Sequence, residues 1–123
     1  MARSVNEPKV FDDVIENGFH VFSLNHANTP NFYPNQFPKY PGVKLSHLVV
    51  GDRITIRVFF RIGSGKPLQI DSGLIDLEVE LIETDHIFGE IITVLPSHFP
   101  LETGSSLEIT EDEILYKVGE TTH

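Results

Sequence analysis

The alternation of apolar and polar side chains is clearest at residues 53–62. Ile54, Ile56, Val58, Phe60 and Ile62 fall on one face, and Arg53, Thr55, Arg57, Phe59 and Arg61 on the other. A period of two marks a strand with one buried face. Residues 74–83 repeat the pattern, with Ile75, Leu77, Val79 and Leu81 between Asp76, Glu78 and Glu80. Residues 87–95 are apolar on both faces, as in a strand flanked by others. A short strand is expected at 107–109, and 114–118 is either a last strand or the tail of the turn before it. Near the N-terminus the period changes to that of a helix over 8–17, with Val10, Phe11, Val14 and Ile15 on one stripe. Pro8 suits its first position and Gly18 the position just past its end. Residues 19–24 then alternate as a strand.

Turn signals separate these segments: Gly51-Asp52, the glycine-rich 63–67, Thr84-Asp85-His86 and Gly104-Ser105-Ser106. Thr110 followed by Glu113 has the spacing of a capping box. The strands at 53–62 and 74–83 are expected to pair antiparallel with both apolar faces in one core. The register proposed sets Arg61 opposite Asp76 and Arg57 opposite Glu80, with the arginine and acid faces together outside.

Residues 25–42 break the pattern. Four prolines and four asparagines exclude a regular helix or a central strand. Phe32, Tyr33, Phe37 and Tyr40 are nonetheless too apolar for a free linker, so an ordered loop pinned by its rings is expected. The chain thus divides into a helix and first strand (1–24), a Pro/Asn/aromatic loop (25–42), a β core (43–118) and a tail (119–123), within one domain. The fold class is α+β and mostly β: a small twisted antiparallel sheet or partly open β-barrel with one N-terminal helix.

Charge adds a direction to this picture. The chain of 123 residues has a net charge of −9. Residues 1–82 carry nine acids and eight bases, whereas 83–123 carry nine acids and only Lys117. An acidic surface repels phosphate backbones, which argues against nucleic acid. Absence of cysteine excludes disulfides, thiolate metal sites and a cysteine nucleophile. No apolar run approaches a membrane span, and the first 25 residues lack the layout of a signal peptide. A cytoplasmic location is expected.

Motifs for chemistry are weak. Gly63-Ser64-Gly65-Lys66 is followed by Pro67 and a strand, where a phosphate loop requires a helix. The six histidines show no helical metal spacing, and no Gly-x-Ser-x-Gly motif is present. No catalytic residue, cofactor or metal is implied, and a non-enzymatic role is favoured. The candidate binding residues are the loop rings Phe32, Tyr33, Phe37 and Tyr40 and the acids Glu111, Asp112 and Glu113.

From residue 45 onward a further likeness emerges. Leu45 and Leu48 precede Gly51-Asp52 and a strand; a strand with alternating acids follows, then Ile87-Phe-Gly-Glu-Ile91. Pro100-Leu-Glu-Thr-Gly104 leads to Leu107-Glu-Ile109 and Ile114. This order, over about 70 residues, resembles small bacterial domains of the YegJ-like and immunity-protein-like kind. The resemblance implies no catalytic residues and suggests that such a domain binds and neutralises a toxin protein. The expected function is therefore a protein-interaction domain for another, basic protein. The alternative is a small-molecule or carbohydrate-binding module, or a small enzyme, with a pocket beside the loop at 28–41. A homo-oligomer built on an exposed sheet edge or on 87–95 is a third possibility.

Overall fold

The computed structural model describes residues 9–27, 29, 31–33, 37–63 and 69–119. Most of the glycine-rich turn at 63–67, the start of the helix at Pro8 and the end of the tail lie outside the described residues. Among the described residues one α-helix, α1 (Val10–Asn17), is followed by β1 (Phe19–Val21), β2 (Arg53–Arg61), β3 (Ile70–Ile82), β4 (His86–Ile91), β5 (Ser106–Thr110) and β6 (Tyr116–Lys117). The strands form a single antiparallel sheet in the order β1-β2-β3-β4-β5, with β6 also on β2, curled into a half-barrel. Among the described residues, no helix is long and apolar enough to cross a membrane.

The helix ends where Gly18 takes φ 87° and returns its N–H to the Val14 carbonyl. Only Glycine enters that region of backbone space without strain. Its buried stripe is narrower than expected: Val10 and Val14 are buried, while Ile15 is half exposed.

The pairing of β2 with β3 is antiparallel and keeps the apolar faces together, but the register differs from that expected. Arg53 faces Glu78, Thr55 faces Asp76, Arg57 faces Leu74 and Arg61 faces Ile70. The cause is that β3 starts at Ile70, four residues before the apolar alternation begins, so the hairpin closes earlier. Conversely, β4 stops at Ile91 rather than 95. There the Thr103 hydroxyl takes over the backbone of the next residues, donating to the Thr93 carbonyl and accepting from the Leu95 N–H.

Both faces of the sheet are used. One carries the larger core, including Ile54, Ile56, Val58, Ile75, Leu77, Val79, Ile87, Ile91 and Ile109, closed by Leu45, Leu48 and Ile114. The other is covered over β1 and β2 by α1 and the aromatic loop, which bury Val10, Val14, Phe22, Tyr33, Phe59 and Leu115 together. The arginine face of β2 is therefore not simply external. Thr55 and Phe59 are buried on it, and Arg57 lies against the rings of Phe37 and Tyr40 at 5.1 and 6.0 Å.

Candidate functional site

The free edge of β2 is shared by two short strands arriving from opposite ends of the chain. β1 covers Val58–Phe60, and the Phe22 N–H continues to the Arg57 carbonyl. β6 covers Ile54 and Thr55, and the Leu115 N–H donates to the Thr55 carbonyl. The two half-strands meet head to tail at Phe22 and Leu115, both fully buried. Each chain must leave the edge there. The departing segments become two 3-10 turns, Leu24–His26 and Glu111–Glu113. The aromatic loop returns between them, with the Gly42 N–H on the Leu115 carbonyl.

This junction brings together the two candidate segments that the sequence separates. Tyr33 is buried and stacks on Phe59, with ring centres 5.3 Å apart. Its hydroxyl accepts from the Ser23 N–H at 2.7 Å. The Ser23 hydroxyl donates to Asp112, and the Thr110 hydroxyl donates to the other Asp112 oxygen. Phe37 stands edge-on to Phe22, Tyr33 and Phe59. The Tyr40 hydroxyl accepts from Arg57 at 2.7 Å. Phe32 stacks on His26 at 3.8 Å. The four rings are thus partly or fully buried parts of the second core.

The acids are also engaged. Glu111 accepts from the Leu45 N–H, and Glu113 accepts from the Thr110 N–H to complete the capping box. Burial pushes the Glu113 carboxyl above its ordinary range, outweighing that bond. Burial acts the same way on Asp112, but the donors Ser23 and Thr110 together outweigh it and hold Asp112 below its ordinary value.

A further polar chain, not apparent from spacing, ties α1 to this junction. His20 lies 2.7 Å from Asp13 through Nδ1 and 3.0 Å from the Tyr33 hydroxyl through Nε2. A carboxylate can only accept, so Nδ1 carries the proton and Nε2 accepts from Tyr33. Burial lowers the His20 pKa below 6.5 despite the aspartate, and burial raises the Tyr33 pKa to about 12. The Asp-His-Tyr order would suit proton transfer. The hydroxyl at its end is sealed in the second core, however, so the arrangement serves to satisfy buried polar atoms.

Among the described residues, two surfaces stand out as accessible. A groove of about 720 Å³ opens beside the junction, walled by Leu24, Asn25, residues 41–44, His47, Glu111, Asp112 and Lys117. The second surface is the part of the sheet that α1 and the loop leave uncovered. There Asp76, Glu78 and Glu80 of β3 lie beside Glu90 of β4 and Glu108 of β5, and Glu78 is directly opposite Glu90. The Ser106 hydroxyl reaches Glu80 at 2.6 Å. The alternating acids of β3 were visible in the sequence; that this half of the face stays open was not. Among the described residues, no group of three or more His, Cys, Asp or Glu is placed to hold a metal ion. No family model, curated protein or solved structure matches the chain.

Proposed function

We propose that the chain is a non-enzymatic interaction domain whose open acidic face covers a basic protein. The observation that carries this reading is Glu78 opposite Glu90 across β3 and β4, both partly exposed, with the exposed Glu80 and Glu108 on the same part of the sheet. Like charges directly opposite cost stability, whereas opposite charges would contribute roughly 0.2–1 kcal/mol. Arg53, opposite Glu78 on β2, makes no ion pair with it. A cationic partner would relieve the repulsion and be steered to the face over long range. An inhibitor- or immunity-like cover over a basic active site is the concrete form proposed, in keeping with the resemblance to YegJ-like domains.

The test is capture from source lysate on the immobilised chain and on a Glu78→Lys/Glu90→Lys variant, read by mass spectrometry at low and moderate salt. The expected result is one stoichiometric basic partner, lost at moderate salt and lost with the variant. Capture that is equal for both chains, or absent from both, overturns the reading.

A further inference from the structure

We propose that the groove beside the Phe22–Leu115 junction binds a small organic carboxylate, at a site separate from the acidic face. The charged groups lining it differ in whether another described residue already engages them. Glu111 is held by the Leu45 N–H, and Asp112 by the hydroxyls of Ser23 and Thr110. Lys117 pairs with Asp52 at 3.3 Å. The side chains of Lys44 and His47, both exposed on the groove wall, have no hydrogen bond or ion pair with any described residue. The donors left for recognition are therefore the Lys44 ammonium and the His47 imidazole.

Lys44 and His47 are also positioned as a pair. The His47 N–H donates to the Lys44 carbonyl at 2.9 Å. A turn closed this way keeps its first and last Cα atoms within about 7 Å, so one carboxylate can accept from the ammonium and the imidazole together. Beside them Leu24, Pro41 and Val43 give the groove an apolar wall for the body of the ligand. The volume lies in the range of small-ligand pockets. Glu111 and Asp112 select among anions: a second charge on the ligand adds repulsion from both, so a singly charged carboxylate is favoured over phosphate.

The experiment is an NMR titration of the isotope-labelled full chain with butyrate, with inorganic phosphate and butylammonium as comparators at constant ionic strength. Butyrate should give saturable shifts at Asn25, Lys44 and His47 with a Kd on the order of 1 mM. Lys44→Ala and His47→Ala should each weaken binding about tenfold, the effect of losing one charge-assisted hydrogen bond. Both side chains are exposed and meet no partner among the described residues, so the amide spectrum of each variant should stay folded. Shifts that do not saturate, that phosphate or butylammonium reproduces, or that survive Lys44→Ala overturn the proposal.

Discussion

Ser23 and Asp112 stand 89 residues apart in the chain and are joined by a hydrogen bond from hydroxyl to carboxylate. The bond bridges the two segments that diverge from the edge of β2. Ser23→Ala should destabilise the protein by about 1–3 kcal/mol, the cost of leaving a partly buried carboxylate short of a donor. Urea unfolding checks this. The same change should raise the Asp112 pKa, because one of the two hydroxyl donors holding it down is removed. The folded Asp112 value lies below 3.8, so its contribution is present above that pH and fades as pH falls through the folded value.

Tyr33→Phe removes one oxygen and leaves two groups unmatched, the Ser23 N–H and His20 Nε2. A loss of about 1–3 kcal/mol is expected with the ring stacking on Phe59 unchanged. Thermal unfolding, with near-ultraviolet circular dichroism for the rings, separates the two effects. An unchanged melting temperature would show that the hydroxyl is not holding the loop.

Histidine titrations followed by NMR should fall on opposite sides of the ordinary value. Burial lowers the pKa of His20, whereas the hydrogen bond His86 donates to Asp85 raises that of His86. The consequences for stability have opposite sign. The unfolded chain takes up a proton at His20 near pH 6.5 before the folded chain does, so stability falls as pH drops from 6.5 toward the folded value. The contribution of His86 is present below 6.5 and is lost as pH rises through its folded value. The His20 effect should dominate, because His86 is held only at the surface. A His20→Gln variant should lose most of the decline in urea midpoint between about pH 7 and pH 5.5.

Gly89 and Gly73 are both strand glycines and should respond in opposite directions to alanine. A Cβ on Gly89 would lie 3.0 Å from the Leu77 Cβ and 3.4 Å from the Glu78 carbonyl oxygen, whereas one on Gly73 would meet nothing within 4 Å. Gly89→Ala should cost about 1–3 kcal/mol by overpacking. Gly73→Ala should be neutral or stabilise by up to about 1 kcal/mol, by restricting the unfolded chain. Denaturant midpoints of the two variants decide this directly.

Relief of the acid pair gives a second, partner-independent check on the open face. Glu90→Lys should raise the melting temperature, because Glu78 would then face an opposite charge. A stabilised chain that no longer captures its partner would connect the stability cost to the surface it serves.

Much of this architecture is legible in local patterns. The 3.6 and 2.0 periods locate α1 and the main strands, and the spacing of Thr110 and Glu113 marks the capping box that forms. What local pattern misses depends on long-range contacts. Residues Asp71-Ser72-Gly73 lie outside the apolar alternation, yet they pair with Val58–Phe60 because β2 offers them partners. Phe59, alone among arginines and a threonine, was the one trace in the sequence of a second buried face. The link from Asp13 to His20 crosses from helix to strand, and the groove joins four separate stretches of chain. No periodicity carries either.

The shared edge of β2 also bears on how the chain acquires its structure. Strands β2 to β5 pair with their neighbours in chain order, so their contacts are more local than those of β1 and β6 and are expected to form sooner. β1 and β6 come from distant ends of the sequence and compete for no residue, since each docks on its own half of the same edge. The central meander can form first and receive the ends in either order. Until both arrive, part of the β2 edge is an unpaired ladder open to other chains. A truncation at either end should therefore reveal itself first as self-association rather than as loss of strand content.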